Sequence, residues 1–269
     1  MRSILAKRIG LRFKQWLRAG PPSVAVQEST LHEWYQTPSG SRLIEVERQL
    51  IGRALSGRFG THLVQLDSGL HQPLFDPRLY GCGFLMTQLE NRAPCPSVRG
   101  DAEALPFEPD SLDALIMHHT LDQCDNPYQA VREAAQTLRP GGVMVIIGFN
   151  PYSTWGLRAL FSRHRLGVWR SRFIRSSRVA DWMQLLDFEL ERDETHGFMA
   201  PFSRPSWLRR LRFLGRVQKA VLPVTGSVYL LVGCKQVAGR INGRARWRAA
   251  PLLEQGLAGR TIRKQYEQK

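Results

Sequence analysis

An α/β fold built on a parallel sheet with helices on both faces is what this sequence predicts, and two observations carry the prediction. Short apolar runs bounded by turn residues alternate with helical patterns of about ten to fifteen residues, the spacing of strand–helix–strand units. No internal repeat is visible at any period, so a solenoid or propeller is not expected. The 269 residues are 43% apolar and 23% charged, enough to bury a core. No apolar run approaches the ~18 residues of a membrane-spanning helix.

The elements follow in order. Residues 1–27 form a basic amphipathic segment and linker: Leu5, Ile9, Phe13, Trp16 and Leu17 recur at helical intervals among six cations and no acid, and Gly20-Pro21-Pro22 breaks the pattern. From Thr30 the pattern is that of a folded domain. A helix presents Leu43, Val46, Leu50, Ile51 and Leu55 on one face and ends at Gly57 and Gly60. Strands are expected at His62–Leu66, Phe84–Leu89, Leu112–Met117 and Val143–Phe149. Between the last two lies a helix capped by Asn126 with Pro127 at its first position, inward-facing Ala130, Val131, Ala134, Ala135 and Leu138, and a stop at Arg139-Pro140-Gly141-Gly142. Ser177 is expected to cap a further helix reaching Leu186, Phe188–Glu191 to form a strand, and Ser227–Cys234 the final strand. Residues 236–269 read as a basic flexible tail. The folded domain is thus placed at residues 28–235.

The net charge of +15 is unevenly spread. Residues 28–157 carry nine basic against fifteen acidic side chains, whereas residues 158–269 carry 23 basic against eight. A whole-protein reading of nucleic-acid binding is therefore too coarse. The excess gathers in residues 1–18, in an insert at about 153–178 and in a second cluster at 203–219; an arginine bias of genomic origin is the competing reading, since 32 of 38 cations are arginine. Four cysteines, Cys82, Cys95, Cys124 and Cys234, lack CxxC spacing, which points to a reducing, cytoplasmic compartment and free thiols. No metal site is expected.

The most specific stretch is GDAEALPFEPDSLDAL, Gly100 to Leu115, followed after the next strand by LRPGG. With these spacings the chain resembles the class I S-adenosylmethionine-dependent methyltransferases of the type 11 domain group. That resemblance implies a Rossmann-like, mostly parallel seven-stranded sheet, with a basic helical insert before the last strands and S-adenosyl-L-methionine bound at the carboxyl ends of the strands. It makes Asp101 and Ala102 the adenine-side pair, and places His118 and His119 at the cofactor pocket. The glycine-rich loop departs from the family: in LVQLDSGLHQPLF, Asp67 and Gly69 occupy motif positions under either alignment, and only one glycine remains. Glu90 stands at about the distance expected for the ribose-binding carboxylate. Trp34, Thr37-Pro38-x-Gly40 and GFNPYSTWGLR resemble a bacterial branch in which this loop is eroded.

The chemistry expected is methyl transfer to a small molecule, anionic or membrane-associated, with peripheral membrane contact through residues 1–18. A catalytically silent domain binding RNA or a protein through its basic segments is the alternative, with RNA the less favoured partner. No catalytic base is assigned; His118, His119 and Asp122 are candidates by position alone.

Overall fold

The computed structural model describes residues 24–88, 95–161, 168, 171–197 and 226–236. The amphipathic pattern of residues 1–18, Glu90, residues 162–167 and 169–170 of the basic insert, the 203–219 cluster and the tail beyond Gln236 lie outside the described residues.

Two helices, α1 (Val24–Tyr35) and α2 (Pro38–Ala54), precede the sheet. Thr37 caps α2, its Oγ1 accepting from Gly40 N at 3.2 Å while donating to Trp34 O at 2.7 Å, so one hydroxyl joins the end of the first helix to the start of the second. There follow β1 (Gly60–Asp67), a single 3-10 turn (Pro77–Leu79), β2 (Tyr80–Thr87), β3 (Ser97–Arg99) and β4 (Leu112–His118). Then come α3 (Pro127–Thr137), β5 (Leu138–Phe149), α4 (Thr154–Phe161), α5 (Ser176–Leu185), β6 (Phe188–His196) and β7 (Val228–Lys235).

The seven strands make one sheet in the order β3-β2-β1-β4-β5-β7-β6. Pairings from β3 to β5 are parallel, and β7 runs antiparallel to both β5 and β6. The expected mostly parallel seven-stranded sheet is therefore found, mixed at one end. Chain direction across the sheet reverses between β1 and β4, which opens a crevice at their carboxyl ends, the usual ligand position in such sheets.

Alternation along the strands sorts side chains to two faces. On one face Leu63, Ile116, Val145 and Leu230 meet Leu43, Leu50 and Ile51 of α2; on the other Val64, Leu115, Met117 and Met144 meet Val131 and Ala134 of α3 and Met183 of α5. Every residue of β4 is buried. Asp113 serves the amino-terminal edge: its Oδ2 accepts from Thr61 N at 2.5 Å and His62 N at 2.8 Å, and Oδ1 pairs with Arg139. That residue of the family-like SLD triplet is thus a clamp between β1 and β5, remote from the crevice.

Asn126 caps α3 as expected, its Oδ1 accepting from Gln129 N at 3.3 Å. Four local expectations need correction. Gly60 opens β1 instead of closing the helix before it. Arg139-Pro140-Gly141-Gly142 belongs to β5: Leu138 pairs with Leu112, then the register shifts before Val143, with Gly141 at φ +82°, so the turn signal marks an irregularity inside the strand. Arg175, without a side-chain cap, precedes α5, because Ser176 and Ser177 already lie in its first turn. Strand β6 runs on through the charged residues to His196, a composition that suits the solvent-facing edge of a sheet.

Candidate active site

A pocket holding about 550 Å³ of atom-free space, part of it open to solvent, opens where β1 to β4 end. Its wall takes Asp67 and Ser68 from the end of β1, Gln88 from beyond β2, Gly100 and Ala102 from beyond β3, and Thr120, Gln123 and Cys124 from beyond β4; Leu31, Leu66 and Met86 supply an apolar part. A Cβ at position 100 would stand 2.6 Å from Met86 Sδ, so the backbone approach there admits only glycine without movement.

The loop after β1 is held by side chains where glycines are absent. Gly69 takes φ +93° and His71 the left-handed φ of +59°, which costs a non-glycine residue energy. Compensation comes from the Asp67 carboxylate, whose Oδ2 accepts from His71 N at 2.8 Å. Buried Gln65 adds two bonds, donating from Nε2 to Gln72 O at 3.0 Å and accepting at Oε1 from Leu74 N at 2.8 Å. His32 Nδ1 lies 3.1 Å from Gly69 O and supplies the donor that carbonyl needs.

Of the residues singled out in the sequence, Asp67 and Ala102 line this pocket and Gly69 shapes the loop beside it. Asp101 is exposed in a turn, its Oδ1 accepting from Glu103 N at 3.0 Å. The expectation for His118 and His119 is corrected: both rings are fully buried and face Glu47 and Asp122, while Thr120 is the residue after β4 that reaches the pocket. The backbone turns over at His119, at φ +52°, with its N–H bonded to Ile147 O. Leu105 and Phe107 of the LPF triplet are packing residues, Phe107 lying 5.5 Å from the Phe84 ring.

Beside the pocket sits a sealed polar cluster. Glu47 Oε2 is 2.9 Å from His118 Nε2, and Oε1 is 2.8 Å from His119 Nε2. His119 Nδ1 is 2.8 Å from Asp122 Oδ2, which also accepts from Phe149 N at 3.0 Å. The His119 ring stacks on Phe149 with centroids 3.8 Å apart. Burial alone would raise the Glu47 carboxyl, but the His119 charge and the bonds from both imidazoles hold it at about 2. Burial likewise opposes the His119 cation, and Glu47 together with Asp122 overcomes it, lifting the imidazolium to about 9. Burial keeps the Asp122 carboxyl above its usual range despite His119. At neutral pH Glu47 and His119 therefore form an ion pair away from water. None of the three suggested bases is exposed to the pocket.

The cluster had a sequence signal in Glu47, an acid on the apolar stripe of α2 between Leu43 and Leu50. Cofactor-side residues Gln88, Thr120, Gln123 and Cys124 had none, being polar or small residues just past strand ends. Asn150 proves to be a turn residue: its Nδ2 donates to Gly226 O at 2.9 Å and its Oδ1 accepts from Tyr152 N at 3.0 Å.

Comparison with known proteins agrees with this geometry. A family model described as a methyltransferase domain matches residues 81–146. The Escherichia coli K12 protein YafS, itself described as uncharacterized, is 32% identical over 171 residues, which cover 62% of this chain and 67% of that one. The chloroplastic 2-methyl-6-phytyl-1,4-hydroquinone methyltransferase of Arabidopsis thaliana is 29% identical over 153 residues, 55% of this chain but only 41% of the plant protein. Among solved structures, a SAM-dependent methyltransferase of Thermotoga maritima superposes with a TM-score of 0.54 at 17% identity, covering 76% of this chain and 93% of that one, a likeness of fold.

Proposed function

Given that the chain belongs to the class I S-adenosylmethionine-dependent methyltransferases, we propose that it methylates a small molecule that carries an anionic group or resides at a membrane surface. The observation that carries this reading is the pocket at the carboxyl ends of β1 to β4.

The donor set suits the cofactor of the family. Asp67, Gln88, Thr120 and Gln123 offer polar atoms to hydroxyl, amine and carboxylate groups, Leu31, Leu66 and Met86 offer apolar surface, and exposed Asp101 stands at the mouth beside Ala102. Bound there, S-adenosylmethionine supplies an electrophilic sulfonium methyl group. The chain's own part is to position the acceptor and exclude water, which suffices for an in-line displacement. No side chain lining the pocket has to move a proton when the acceptor arrives as an anion.

Two features support the acceptor class. In sequence the 203–219 arginine cluster lies between His196, the last residue of β6, and Val228, the first of β7, which pairs with Phe149 at the carboxyl end of β5. The plant relative is named for a hydroquinone that bears a phytyl chain, an acceptor that ionises and partitions into membranes. The loop after β1, which keeps only one glycine of the motif under either alignment, motivates the second reading of a silent domain that binds RNA or protein.

Titration calorimetry separates the two. Wild-type protein is expected to bind S-adenosylmethionine, and Asp101→Ala to bind it about 10- to 100-fold more weakly, the loss of a hydrogen bond to a charged group. Absence of binding by wild type at millimolar cofactor, with salt-dependent binding of RNA, would transfer the case to the silent domain.

A further inference from the structure

We propose that Glu47, His118 and His119 form a binding site for one divalent transition-metal ion of the zinc class. The three side chains are fully buried, and one ligand atom from each lies within 4.8 Å of the others. Both imidazoles present Nε2 to the same carboxylate, at 2.8 and 2.9 Å. Each turns its Nδ1 toward a second carboxylate: His119 to Asp122 Oδ2 at 2.8 Å, and His118 to Asp67 Oδ1 at 3.9 Å. A histidine that binds a metal through one nitrogen and is oriented by a carboxylate on the other is the recurrent outer-shell arrangement of such sites.

Charge and hydrogen-bond accounting point the same way. Glu47, Asp122 and Asp67 place three buried carboxylates around two imidazoles, and an ion of charge +2 offsets most of that negative charge. The protein's own bonds do not close the network, because His118 Nδ1, Asp122 Oδ1 and Tyr35 Oη are buried without a hydrogen-bond partner among the described residues. Two nitrogens and one carboxylate suit zinc and its neighbours rather than magnesium or calcium, which take oxygen ligands. Ligand atoms of a tetrahedral zinc site with bonds of about 2.0–2.1 Å stand about 3.3 Å apart, so the carboxylate withdraws by about 0.5 Å from each imidazole while the wider separations, at most 4.8 Å here, close by up to about 1.5 Å. On binding, each imidazole gives up the Nε2 proton it shares with Glu47: that of His119 leaves to solvent, and that of His118 shifts to Nδ1, toward Asp67.

The ion is structural: both Glu47 oxygens and the two Nε2 atoms supply four donors sealed from the pocket, and they tie α2 to the end of β4. Their separation in sequence, 71 positions from Glu47 to His118, is why no ligand spacing announces them.

The test uses untagged full-length protein, stripped with a chelator and titrated with Zn²⁺ by calorimetry, with metal content read by mass spectrometry. One equivalent per chain is expected, undisturbed by millimolar Mg²⁺, and retained by Cys82→Ser and Cys124→Ser. Asp122→Asn is expected to weaken it about 10- to 100-fold, and Glu47→Gln to abolish it with the circular dichroism spectrum unchanged. Should Glu47→Gln fail to fold, Co²⁺ on wild type decides, with visible ligand-field bands and no thiolate charge-transfer band expected. Folded wild type that takes up no Zn²⁺, uptake that survives Glu47→Gln, or a thiolate band with Co²⁺ would overturn the assignment.

Discussion

Two polar regions meet at the carboxyl end of β4 and are built in opposite ways. In the Glu47–His118–His119–Asp122 cluster every ionisable side chain is sealed from solvent, and all its side-chain nitrogens and oxygens but His118 Nδ1 and Asp122 Oδ1 are hydrogen-bonded. In the neighbouring pocket the wall is mixed, part apolar and part polar, and its groups face open space. The contrast teaches that adjacent residues, His119 and Thr120, can serve stability and ligand binding separately. A backbone reversal at His119 sends one side chain inward and leaves the next for the pocket.

The comparison is broken most directly at Glu47. Replacing Glu47 by alanine strands the His119 imidazolium in a dry site and is expected to cost about 3–5 kcal/mol in urea unfolding; a loss below about 1 kcal/mol would mean that the cluster is not integral to the fold. Truncating the pocket carboxylate costs less. Asp67→Ala deprives His71 N of its acceptor, an expected loss of about 1.5–3 kcal/mol, and amide exchange at residues 70–72 should quicken while the cluster amides stay protected. Thr120→Val removes a hydroxyl donor shared between Leu66 O at 3.1 Å and His118 O at 3.5 Å, and is expected to cost about 1 kcal/mol by the same measurement.

The smallest perturbation is chemical labelling. Cys124 lines the pocket, and burial, with the charges of Glu103 and Asp101, pushes its thiol far above the ordinary range, whereas Cys82 is exposed. Iodoacetamide followed by mass spectrometry should therefore mark Cys82 first, and S-adenosylmethionine should slow Cys124 further while leaving Cys82 unchanged.

Legibility in the sequence divides along the same line. Six of the seven strands and the Asn126 cap were readable because apolar runs bounded by turns, and caps, are local signals, with His62–Leu66 and Leu112–Met117 inside β1 and β4, whereas the exposed three-residue β3 carried no such signal. Asp67 and Ala102 were found through motif spacing. The cluster was not, since it joins α2 to the end of β4 across 71 residues and depends on the turn at His119. Charged β6 was underestimated because an edge strand obeys the partner it pairs with more than its own composition.

The antiparallel placing of β7 has a consequence for how such a protein can diversify. Because β6 and β7 are neighbours and His196 pairs with Val228, the chain leaves and re-enters the sheet at one spot, closed by the Ser227 N–H bond to Gly197 O and by Asn150. Segments of very different length can be exchanged between those two anchors with a small change in closure entropy. The sheet thus works as a socket: what is spliced between these anchors can change while the strands and the pocket at the carboxyl ends of β1 to β4 stay intact.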